Sequence, residues 1–156
     1  MLRTSFAVLY IILTALLIGS IVKAAGSRSK MAGPVIKVIF AGAMTALFYA
    51  LYLLAAGYGR QPACFLLGMY YLSIGWLTYW LTDYVMEYTE VRLVTRLPRV
   101  ILFVMVLLDS ISILVNNFTG HMFSMIQLYD GSNGQYYWTS QPHGWMTIHL
   151  ALCYVM

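Results

Sequence analysis

The chain has 156 residues, of which 62% are hydrophobic and only 9% charged, with a mean hydropathy of +0.78. That leaves far too little polar side-chain area to coat a water-soluble globule of this length, which excludes an ordinary soluble domain and points to a membrane protein. Nine Lys and Arg against five Asp and Glu give a formal charge of +4, but the basic residues are scattered between apolar blocks. A nucleic-acid-binding surface would gather them into a patch, so nucleic acid is not an expected partner.

The apolar residues form blocks about as long as the ~20 residues a helix needs to cross hydrocarbon. Spans are expected over about 4–24, 36–58, 61–88 and 98–117, and a fifth apolar run begins near residue 144 and stops at Met156. The expected fold is therefore an all-α polytopic membrane helix bundle with four full spans and the start of a fifth, in a fragment of a longer protein. The first span follows Arg3, and Ala24, Ala25 and Gly26 mimic a cleavage site. Its length and the basic flank of Lys23, Arg28 and Lys30 read instead as a retained helix.

In the second span Gly42, Ala46 and Ala50 recur every fourth residue, a pattern that lets helices approach closely. Tyr49 and Tyr52 lie on an adjoining face as secondary ligand-pocket candidates. The third span ends in WLTDYVMEYTE, where Asp83, Glu87 and Glu90 share a face and Arg92, Arg96 and Arg99 follow. Paired carboxylates can do acid–base work, but beside three arginines at a helix end they read as a solvated charge cluster. Asp83, Glu87, Glu90, Arg92 and Arg96 are the expected relay of a movement to a cytoplasmic partner.

The fourth span carries the least expected residue, Asp109, ten residues beyond Arg99 and so about 15 Å along the helix, close to mid-membrane. Ser112 and Asn116 follow on the same helical face. A lone carboxylate at that depth costs at least ~2.5 kcal/mol, so the stripe should face the interior of the bundle, as a ligand contact, a proton site or a structural hydrogen bond. Residues 118–143 form the only substantial polar segment. Met122 to Tyr129, the turn residues Asp130 to Gly134 and the β-prone Gln135 to Thr139 predict a short hairpin-like loop.

Lys23, Arg28, Lys30 and Lys37 concentrate in one loop and Arg92, Arg96 and Arg99 in another, against Arg3 and Arg60 on the opposite side. By the retention of basic residues in the cytoplasm, the amino terminus and the hairpin lie outside the inner (plasma) membrane. His121, His143 and His149 are too dispersed for a metal site, and Cys64 and Cys153 read as packing residues without metal-ligand spacing. No cofactor, metal or catalytic residue is expected. The chain is not expected to be an enzyme.

Three stretches in this order, WLTDYVMEYTE, then ILVNNFTGHMF, then WMTIHLALCYV, resemble the amino-terminal seven-helix sensor region of bacterial histidine kinases and diguanylate cyclases. The matching features are the aromatic-threonine pair Tyr88-Thr89, the turn with Asn117, His121 and Phe123, and the early fifth-helix histidine His149. The stretch before His149 departs from the pattern, with Pro142, Gly144 and Trp145 in shifted positions and Thr147 in place of an aromatic. The resemblance implies a sensory input module truncated in its fifth helix, with an output kinase or cyclase domain expected in cis but absent here. Other expected partners are the lipid bilayer, an unidentified small ligand and a second copy of the chain in a homodimer. The candidate ligand-binding residues are Asp109, Ser112, Asn116, Asn117, His121, Tyr49, Tyr52 and His149. A small transporter or channel component, or a membrane assembly subunit, is the alternative.

Overall fold

A computed structural model describes residues 2–89, 97–131 and 134–156. Five helices and one hairpin follow in the order α1 (Leu2–Ala25), α2 (Ala32–Ala55), α3 (Arg60–Tyr88), α4 (Leu97–Thr119), β1 (Phe123–Asp130), β2 (Gln135–Pro142) and α5 (Gly144–Val155). The protein is mostly helical, and α1 to α4 are long and apolar enough to cross a membrane, with window hydropathies between 1.3 and 2.4. The two-stranded sheet is the segment between α4 and α5.

Helix limits follow local chemistry. α2 begins four residues before the expected span, because Pro34 falls in its first turn, where a missing N–H costs nothing. It stops at Ala55, ahead of Gly57 and Gly59. α4 ends at an αL cap, with Gly120 at φ +65 donating its N–H to the Asn116 carbonyl at 2.8 Å. Inside the helices the hydroxyls of Thr14, Thr45, Ser73 and Ser110 donate to the carbonyl four residues back. That is how a polar side chain is satisfied where no water is at hand.

The helices pack in sequence, α1 on α2, α2 on α3 and α3 on α4, with α5 seated on α3. The small residues of α2 allow this: Ala46 and Ala50 are buried, and a Cβ at Gly42 would meet Leu17 of α1 and Leu77 of α3, each at 3.9 Å. α1 illustrates the opposite face, with Leu16 65% and Val22 70% exposed, as a helix facing lipid requires.

β1 and β2 pair antiparallel from Phe123 opposite Pro142 to Asp130 opposite Gln135. The strands lie over the ends of the helices, where Trp138 donates its backbone N–H to the Ala56 carbonyl at 2.8 Å and Tyr52 donates its hydroxyl to the Trp138 carbonyl at 3.3 Å. Arg3 sits over the Tyr137 ring, 5.9 Å from its centroid. A buried apolar cluster at this end joins Tyr52, Ala56, Ala63 and Leu67 to Ile113, Met122, Phe123, Met125 and Met146.

Candidate functional site

The face of α4 that carries Asp109, Ser112 and Asn116 turns toward protein, but the three side chains do not meet at one point. Each reaches a different partner, and together they fasten α4 to everything that follows it.

Asn116 is 1% exposed. Its Oδ1 accepts the backbone N–H groups of Met122 at 2.7 Å and Phe123 at 3.2 Å, and its Nδ2 donates to the Phe123 carbonyl at 3.0 Å. The amide thus offers the first residues of β1 the partner that a neighbouring strand would offer, so the hairpin is pinned to the end of α4. Ser112 Oγ lies 2.7 Å from His121 Nε2, and the other ring nitrogen of His121 lies 2.5 Å from Thr119 Oγ1. His121 therefore closes the connection between α4 and β1 and rests edge-on to Trp145 at the start of α5.

Asp109 reaches further. Its Oδ2 is 2.7 Å from His149 Nδ1 on α5, where the His149 side chain is 0% and the Asp109 side chain 10% exposed. Two residues of α3 border the pair. At Gly75 a Cβ would lie 3.7 Å from Asp109 Oδ2 and 3.9 Å from His149 Cε1, in ordinary contact, so only a side chain larger than a methyl group would press on the pair. Tyr71 packs edge-on to both His149 and Phe123. A carboxylate and an imidazole in contact can share a proton and hold two helices together, and both roles are stronger out of water.

On its other side His149 Nε2 stands 3.8 Å from Cys153 Sγ, one helical turn along α5. Cys153, expected from the sequence to be a packing residue, is thus also the third member of a row of ionisable side chains. The i, i+4 spacing of His149 and Cys153 was the visible signal.

Beside the hairpin lies a cavity of about 800 Å³ between the start of α3 and the end of α4. Arg60, Gln61, Cys64, Asn116 and Asn117 supply its polar wall and Phe65, Leu114 and Phe118 part of its apolar wall. Arg60 and Gln61, absent from the sequence-based candidates, enter because the tight α2–α3 turn puts them at the hairpin end. Of the aromatic candidates, Tyr52 supports the hairpin through its hydroxyl, whereas Tyr49 packs against Tyr10 at 4.9 Å and Tyr70 at 4.8 Å between ring centroids.

At the opposite end Asp83 meets Arg99 at 3.4 Å and joins α3 to α4, while Glu87 is exposed. Lys37 lies over the Trp80 ring at 4.5 Å, and Thr82 donates to the Met156 carbonyl at 2.6 Å, so α2 and α5 are also tied to α3 there. Glu90, Arg92 and Arg96 lie outside the described residues. Among the described residues no group of three or more His, Cys, Asp or Glu side chains is arranged to hold a metal ion, and no buried side-chain nitrogen or oxygen lacks a hydrogen-bond partner.

No protein-family model, no curated protein and no solved structure matches this chain.

Proposed function

We infer that this chain is the membrane-embedded sensory input module of a bacterial signal-transduction protein. A small or lipophilic ligand binds at the outer end of the bundle, and the resulting helix rearrangement passes to a cytoplasmic kinase or cyclase domain. The observation that carries the reading is the placement of Asn116, which lines the 800 Å³ cavity and also holds the hairpin to α4. A ligand in that cavity acts on the same residue that fixes α4, and α4 carries Asp109, which holds α5 through His149.

A ligand that favours one arrangement of this unit shifts the population toward it by its difference in affinity for the two arrangements, and by no more. The ion pair of Asp83 and Arg99 then lies at the delivering end. The orientation with amino terminus and hairpin outside the inner membrane agrees with the basic loops, and the order of sequence features supports the seven-helix sensor class.

The natural reading frame beyond Met156 is the first test. Two further apolar helices and a kinase or cyclase domain are expected, and a stop codon there removes the sensor reading. In the full-length protein, Asn116→Asp should shift the dose of signal needed for output. An unchanged response across conditions sinks the coupling through α4.

One observation favours a second reading. Two ionisable side chains in contact within a bundle, Asp109 and His149, are also what a proton-coupled transporter needs. Such a protein acidifies or alkalinises the lumen of liposomes when substrate is added, and Asp109→Asn abolishes that flux.

A further inference from the structure

The row Asp109, His149 and Cys153 has a chemical sense that neither sensing nor proton transport uses. Asp109 Oδ2 faces His149 Nδ1 at 2.7 Å, an acceptor that favours the ring proton on Nδ1 and leaves Nε2 turned away from it. Nε2 faces Cys153 Sγ at 3.8 Å. A thiol next to a base that is itself oriented by a carboxylate is the arrangement that turns a sulfhydryl into a nucleophile. The carboxylate also stabilises the imidazolium formed when the thiol proton moves across.

A second observation is independent of these contacts. Cys153 lines a groove of about 270 Å³ together with Met156 and with Thr78, Leu81, Thr82, Val85 and Met86 of α3. Those walls are mainly apolar, and the helix that supplies most of them is one of the four long enough to cross a membrane. A groove with such walls favours an apolar molecule beside the sulfur. A thiolate is a soft nucleophile, and its natural counterpart in an apolar groove is a soft carbon electrophile.

We propose that Cys153 is a reactive thiol site for membrane-soluble α,β-unsaturated carbonyl compounds, with His149 as its base and Asp109 as the positioning residue. In the reaction the Cys153 thiol gives its proton to His149 Nε2, and the sulfur electron pair forms a bond to the β-carbon. The carbon–carbon π pair moves onto the carbonyl as an enolate, and the enolate α-carbon recovers the proton from Nε2. The product is a saturated thioether containing every atom of both reactants, and no oxidant or reductant takes part. The site is distinct from the cavity beside the hairpin, and its reactivity does not depend on whether the chain is a sensor.

The test uses the whole chain in lipid nanodiscs and follows the mass of Cys-containing peptides with time. One arm adds trans-2-nonenal, a lipid-derived enal, and the other a short-chain quinone with an open ring position. Cys64 serves as the internal reference, because it is also partly buried and lines the cavity beside the hairpin. Cys153 should react about tenfold or more faster than Cys64 in at least one arm, since a positioned base contributes about 10² or more in rate. Whichever arm responds names the source of the electrophile.

His149→Gln and Asp109→Asn should slow Cys153 by about tenfold or more while the rate at Cys64 stays the same, which separates lost activation from a disturbed fold. A wild-type Cys153 that reacts no faster than Cys64 in both arms overturns the proposal whatever the variants do. So does a His149→Gln protein in which the rates at both cysteines are unchanged.

Discussion

Removal of the Asp109 carboxylate tests the central contact of the structure. At 2.7 Å the Asp109 carboxyl and the His149 ring attract strongly in a medium poorer than water, and desolvating both takes back much of that. The net worth of the pair is small, but the cost of breaking it from one side is not. Asp109→Ala leaves a fully buried imidazole nitrogen without its partner, for an expected loss of about 3–5 kcal/mol. Asp109→Asn retains the shape and a neutral hydrogen bond, and should lose about 1–3 kcal/mol. When His149→Leu is combined with Asp109→Ala, no polar atom is stranded, so the double variant should be more stable than the two single losses predict by about 2 kcal/mol. The assay is reversible unfolding in mixed detergent micelles, followed by loss of helical circular dichroism. Additivity within about 0.5 kcal/mol would refute the claim that the two side chains act as a pair.

Other residues give sharper local readouts. Asn116→Leu deprives the Met122 and Phe123 N–H groups of their acceptor, and should cost about 2–4 kcal/mol and release the hairpin to rapid hydrogen exchange while α1 stays protected. Gly75→Ala should be nearly neutral, because its Cβ meets Asp109 and His149 at ordinary contact distance, whereas Gly75→Leu should displace α5 and abolish the stability difference between the wild-type and Asp109→Asn backgrounds. At Gly57 a Cβ would lie 2.7 Å from an Arg3 guanidinium nitrogen, the mobile tip of a long side chain, so Gly57→Ala should cost under about 1 kcal/mol, equivalent to the contact of Arg3 with Tyr137. Arg99→Ala breaks an ion pair whose arginine is 48% exposed, and melting should change by less than about 1 kcal/mol, less still in high salt.

Much of the architecture was legible in the residues. The four apolar blocks appear as helices whose ends fall near Pro34, Gly57 and Gly120, because length, charge and turn chemistry act locally. The alternating, turn-punctuated segment after Phe118 forms the expected pair of strands. The fate of the polar stripe on α4 was not legible. Spacing placed Asp109, Ser112 and Asn116 on one face, but it could not tell that they would answer to α5, to the connector and to a strand respectively. The i, i+4 spacing of His149 and Cys153 on α5 was legible, but that Asp109 of α4 would stand on the other side of His149 was not.

Hydropathy and helix periodicity are properties of neighbouring residues, so the chain itself determined which segments are helices, which are long and apolar enough to cross a membrane and where a hairpin interrupts them. The partner of a side chain on one helix is set by the rotation and height at which a second helix packs. Here α3 lies against both α4 and α5, with the ring of Tyr71 edge-on to His149 and no bulk at Gly75 beside the pair. Forty residues separate Asp109 from His149, and only the packed bundle brought their side chains within 2.7 Å.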